Sequence, residues 1–213
     1  FAHHSAGEPV ATNWAYRPDP LIEPVTEIVS VHGQSESLDS PLVVRGAIPG
    51  NFISDVLAHG YRLGFIGSGD SHDGHPGLAM IVAGQSGLAG LFARELDRSS
   101  VLDTLRRRHT FATNGIRPFL SVSINGMPMG GTLAAGADDS DAVLQVRFEG
   151  TDVIQRIELV RDGYRAILEG DGTRSLELTR TIPALIPGEI HYVRFIQKDG
   201  GMAWSSPIFV DAE

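Results

Sequence analysis

The chain has 213 residues, 42% of them apolar and 20% charged, and its 17 basic against 26 acidic residues leave a net charge of −9. This balance excludes a disordered or fibrous chain and allows one large domain or two small ones, while the acidic excess offers no general field for phosphate backbones, so nucleic acid is not an expected partner. The absence of cysteine removes disulfides, thiolate catalysis and cysteine-ligated zinc together, leaving histidine and carboxylate as the only strong metal ligands.

The opening Phe1-Ala2-His3-His4-Ser5 has no initiator methionine and reads as the end of a buried strand running into a functional loop. The chain is therefore expected to begin inside a longer protein, and a signal peptide upstream would make that protein an exported one. No apolar run approaches the ~18 residues of a membrane span.

Strand-like and helical runs then alternate. Residues 25–31 are apolar and end at His32, 51–58 read as a helix closed by Gly60, and 63–66 and 78–83 are apolar again. Residues 99–109 form the clearest helix, with a serine cap at Ser99 or Ser100 and Arg106, Arg107 and Arg108 at the negative end of its dipole. Strand-helix-strand spacing predicts an α/β arrangement for residues 1–115.

After Gly115 the period falls to two. Residues 119–124, 142–148, 154–160, 175–181, 191–197 and 207–210 alternate apolar with polar, separated by turn pairs such as Asn125-Gly126 and Pro187-Gly188. Residues 116–213 are accordingly predicted to be an all-β sandwich.

Seven of the eight histidines fall in the first 109 residues, and only His191 comes later. The densest polar cluster is the run from Gly67 to Gly77, directly after the apolar 63–66. Side chains two apart on extended backbone share a side, so Asp70 and His72 are expected to aim a carboxylate and an imidazole at one ion. His3 and His4 form a second group. As neighbours on a strand they face opposite ways, which predicts one ligand and one residue beside it. His32 ends its strand where site residues tend to sit, Glu27 lies deeper in the same strand, and His75 is placed to meet substrate. His59 and His109 read as a helix-end and a surface histidine.

Ala2-His3-His4, Glu27-Ile28-Val29-Ser30 with His32-Gly33, Gly64 to His72, and Pro76-Gly77 resemble the C-terminal half of a PHP domain, the polymerase and histidinol phosphatase superfamily. In detail they are similar to an uncharacterised family of large bacterial proteins in which a PHP-like domain precedes a β-rich one. The resemblance implies a partial, distorted PHP-like barrel over residues 1–115. It also implies two or three divalent ions, such as zinc, manganese or iron, and hydrolysis of a small phosphoester. Carried over by motif, Asp70 and His72 become metal ligands together with His3, or with His4 if the register slips by one; the nearby imidazoles His4, His32 and His75 are expected to position substrate or move a proton. The superfamily's opening His-x-His and its metal-bridging glutamate have no match, so an upstream half of the same protein is expected to complete the barrel.

Two other readings compete. Gly69-Asp70-Ser71 matches a serine-esterase block superficially, with Ser71 as nucleophile, but the only late histidine, His191, has no carboxylate in the expected place before it. The chain can also be read as a non-catalytic accessory or binding module carried by the sandwich.

Overall fold

The computed structural model describes residues 1–70, 72, 74, 86–135, 140–161, 164–168 and 172–212. Its first half contains β1 (Val25–Ser30), β2 (Gly33–Gln34), α1 (Ile53–Ala58), β3 (Gly64–Gly67), β4 (Leu88–Leu91), α2 (Arg98–Arg106) and β5 (Thr110–Thr113). There follow β6 (Phe119–Ile124), β7 (Met127–Pro128), β8 (Thr132–Ala134), β9 (Ala142–Glu149) and β10 (Ile154–Arg161). The chain closes with β11 (Tyr164–Ile167), β12 (Ser175–Ile182), β13 (Ile190–Gln197), β14 (Met202–Ser205) and β15 (Ile208–Asp211).

These strands build three layers. The middle layer is a large sheet in the order β11-β10-β13-β14-β5-β4, with β15 paired to β13 and to β8. On one side lies the sheet β12-β9-β6-β7, and on the other the small sheet β2-β1-β3 together with α1.

Residue periodicity explains which faces meet. In β9, Ala142, Leu144, Val146 and Phe148 are buried while their neighbours are exposed, so this strand presents one apolar face and one wet face. That apolar face, with Leu120, Val122 and Ile124 of β6, packs on Ile157, Leu159, Val193 and Phe195 of the large sheet. Phe148 and Phe195 stack at 4.0 Å. Each such side chain taken fully out of water stabilises the fold by roughly 1.5–3 kcal/mol.

β13 differs, being buried from His191 to Gln197. Its second face, with Val160 and Trp204, meets Ile28, Val29, Ile53, Leu57 and Phe65 of the small layer. The Phe65 and Tyr192 rings meet edge to face, their centroids 5.1 Å apart.

Among the described residues, the edge of β3 away from β1 meets hydroxyl groups. Ser206 Oγ accepts from Phe65 N and Thr110 Oγ donates to Phe65 O, both at 2.8 Å. Gly67 allows a close approach: a Cβ there would stand 2.7 Å from the backbones of Leu88 and Thr113.

The α/β class and the partial PHP-like barrel expected for residues 1–115 are not what forms. The described chain is mostly β and sandwich-like, with two helices, of six and nine residues. Within the described residues, strand-helix-strand connection with parallel pairing occurs at β1-α1-β3, where Val25 to Val29 pair with Gly64 to Gly67. β4 and β5, which lie in the part read as α/β, join the large sheet, β4 antiparallel to β5 and β5 antiparallel to β14.

The physical reason lies in the helices. α2 buries only Thr104, leaves Leu102 45% exposed, and has its cap from Asp97 rather than a serine. Such a helix covers little apolar surface and does not close a barrel. The expected strand at 78–83 lies outside the described residues. Among the described residues, no helix is long and apolar enough to cross a membrane.

Candidate metal centre

Three chain segments run parallel at the small sheet, and each delivers site residues just past its C-terminal end. Ala2 bridges Thr26 in parallel on β1, and β3 flanks the same strand. His3 and His4 follow the first segment, His32 follows β1, and Asp70 and His72 follow β3.

Asp70 is the centre of the group. Its Oδ2 lies 2.9 Å from His32 Nε2, 3.4 Å from His3 Nε2 and 3.9 Å from His4 Nε2, while Oδ1 lies 3.4 Å from His72 Nε2. Two sets of ligand atoms therefore share one carboxylate: His3, His4 and Asp70, and His32, Asp70 and His72. Among the described residues, Asp70 Oδ2 and His4 Nδ1 are buried without a hydrogen-bond partner. Such orphaned atoms in a native fold call for an explanation, and imidazole nitrogen with carboxylate oxygen is a donor set suited to zinc, iron or manganese.

Backbone geometry brings these groups together in a way that strand alternation does not anticipate. His4 has φ 25° and Asp70 φ 45°, both in the left-handed region. The turn at His4 defeats the expected opposition of adjacent side chains, and the His3 and His4 rings lie 3.9 Å apart. Asp70 likewise stands on left-handed backbone beyond the strand, with its Oδ1 3.4 Å from His72 Nε2. The site is open on one side: the His72 side chain is 75% exposed, His3 40% and Asp70 13%.

Glu27 sits beneath this cluster, fully buried in β1. Its Oε2 accepts from His3 Nδ1 at 3.0 Å and from the Ser68 hydroxyl, and its Oε1 accepts from the His4 backbone N–H at 2.9 Å. Burial pushes the Glu27 carboxyl up, but the hydrogen bonds from His3, Ser68 and His4 outweigh it and leave the group below its ordinary value. The hydrogen bond to Glu27 in turn raises the His3 imidazole above its ordinary value against its own desolvation, and the charges of Glu27 and Asp70 add to the effect. Sequence reasoning placed Glu27 deeper than the site and missed this role. The available signal was a glutamate at an inward position of an otherwise apolar strand.

The other candidates lie apart. His75 and Ser71 are outside the described residues. His59 ends α1, and His109 stacks on Phe92 at 4.7 Å. His191 is 1% exposed within β13 and lies 3.2 Å from Glu189, so the esterase reading would need its general base to act from inside a sheet. A cavity of about 450 Å³ between α1 and the large sheet, lined by Leu57, Val160, Ile190 and Tyr192 among others, shares no lining residue with the histidine cluster.

Residues 77–123 match the family described as "Protein of unknown function (DUF3604)". Uncharacterised proteins of Chlamydia pneumoniae and Chlamydia muridarum are each 28% identical to the chain, over 221 and 224 residues, covering 90% and 89% of it. A third, from Chlamydia trachomatis, is 26% identical over 227 residues. No solved structure matches the chain. The chain is thus similar to bacterial proteins of which it spans about a third, 34–35% of their length.

Proposed function

We propose that this chain carries part of the active site of a divalent-metal-dependent hydrolase acting on phosphoesters. The observation that supports it most is the convergence of His3, His4, His32 and His72 on the Asp70 carboxylate at the ends of three parallel segments. The substrate class comes from the resemblance to PHP proteins alone.

In this reading Asp70, His72 and His3 hold metal. A bound divalent ion would supply a water whose pKa falls from ~15.7 toward ~7 and would neutralise charge on substrate oxygens. His4, buried beside His3, has an unpartnered Nδ1 and orients groups at the cluster. His32 stands at the open side with its side chain 36% exposed, where it can hold or pass a proton at a leaving oxygen. His75 remains a candidate substrate contact from the sequence.

Elemental analysis together with assay on a panel of phosphoesters tests the reading. Bound zinc, manganese or iron and chelator-sensitive phosphate release are expected, and both should be lost in the Asp70→Ala/His72→Ala double variant. Metal content unchanged by that pair would refute the assignment. The accessory-module reading draws on the share of the described fold given to sheets, and a metal-free protein inert to every ester would favour it.

A further inference from the structure

We propose that Glu27 is the positioning residue of the histidine cluster. Its carboxylate selects the ligating tautomer of His3 and holds the turn that brings His4 alongside. The inference rests on the metal-site reading and deepens it by naming what orders the site before any ion arrives.

A neutral imidazole carries its proton on one nitrogen and its lone pair on the other. With Glu27 Oε2 3.0 Å from His3 Nδ1, the carboxylate accepts that proton's hydrogen bond, and the lone pair falls on Nε2, the atom that faces Asp70. The second oxygen, Oε1, is occupied by the His4 backbone N–H at 2.9 Å, at the residue whose φ of 25° is uncommon for a side chain other than glycine. The Ser68 hydroxyl also donates to Oε2, two residues before Asp70. One carboxylate therefore ties the two ligand-bearing turns to the strand between them.

Glu27 is not itself placed to ligate. Both of its oxygens are engaged, its relative exposure is 0%, and it belongs to neither set of converging ligand atoms. Carboxylates that hold a histidine by its second nitrogen orient the ring and raise its basicity, and their loss typically costs 10–100-fold in metal affinity.

Two measurements on the full chain decide the matter. In the metal-free protein labelled with ¹⁵N-histidine, at a pH where the ring is neutral, His3 should carry its proton on Nδ1. A proton on Nε2 would overturn the proposal with no substitution needed. In Glu27→Gln, whose amide can also donate, the tautomers should mix, and the dissociation constant for Zn²⁺ alone should rise about 10–100-fold. Ser68→Ala, which spares the carboxylate, should leave the tautomer as it is. Zinc affinity and His3 tautomer both unchanged in a folded Glu27→Gln protein would reduce Glu27 to a packing role. Should the wild-type chain take up neither Zn²⁺ nor Mn²⁺, the hydrolase reading fails, while the His3 spectrum still decides for or against Glu27.

Discussion

Two carboxylate clusters lie in the layer that covers the large sheet, and they are finished in opposite ways. Around Glu36 both carboxylate oxygens are engaged by protein: Tyr192 donates to Oε1 at 2.8 Å, and Arg194 and Trp204 donate to Oε2 at 2.7 and 2.8 Å. Arg194 also binds Glu158, which Arg156 approaches from the exposed side. Although burial alone would lower it, the Arg194 guanidinium is held above its ordinary value by Glu36 and Glu158, while burial and then Glu36 push the Tyr192 phenol well up.

Around Asp70, by contrast, a carboxylate oxygen is ringed by imidazoles and retains a buried atom with no hydrogen-bond partner among the described residues. A closed network serves cohesion between layers. An open one, set at strand ends and partly exposed, is where chemistry can be added.

That contrast can be broken experimentally, and the largest effect on stability is expected at the closed cluster. Arg194→Met leaves Glu36 buried without its counter-charge, while Glu158 keeps Arg156, and should cost about 3–5 kcal/mol, read from urea denaturation. A loss under about 1 kcal/mol would mean that water already reaches the cluster.

Glu189 belongs to the same closed kind. Burial raises its carboxyl, but the Ile186 backbone N–H, Arg161 and His191 outweigh that and hold it below its ordinary value. A carboxyl lowered on folding contributes stability above its unfolded pKa and loses it as pH falls through the folded one. Glu189→Gln should therefore trail the wild type by about 1.5–3 kcal/mol at neutral pH, the worth of hydrogen bonds to a charged group. The gap should close as pH falls below about 4.5, and a gap that stays constant with pH in denaturation midpoints would contradict the assignment.

At the open cluster the order of effects reverses. Asp70→Ala/His72→Ala should abolish metal uptake while shifting stability by no more than about 1 kcal/mol, because the site is exposed on one side and contributes little packing. Cooperative melting with metal lost supports the division between the clusters, and a collapsed fold would erase it.

The smallest effect is expected on the outer face of the four-stranded sheet. There Arg147 pairs with Glu149 and Glu177 in solvent, and Arg147→Ala should change stability by about 0.5 kcal/mol or less.

The same contrast governs what could be read from the chain. β9 shows its period of two plainly because one of its faces meets water, and the Asn125-Gly126 turn announces itself because both residues take positive φ, 47° and 79°. The histidines and Asp70 were visible as polar groups gathered after apolar runs. β4 and β5 were not visible as members of the large sheet, since Gly90 and Ala112 carry little strand signal and their register depends on partners far along the chain. Glu27 and Glu36 were hidden for the same reason, each a lone acid whose partners lie far off in sequence: His3 and Ser68 for one, Tyr192, Arg194 and Trp204 for the other.

Local chemistry alone thus determined where strands alternate, where turns fall and which side chains are capable of binding metal. Tertiary structure decided that the first half joins a sandwich instead of closing a barrel, and that His3 and His4 lie side by side. The first outcome depends on pairing between distant segments and the second on left-handed backbone at His4, neither of which composition or periodicity encodes.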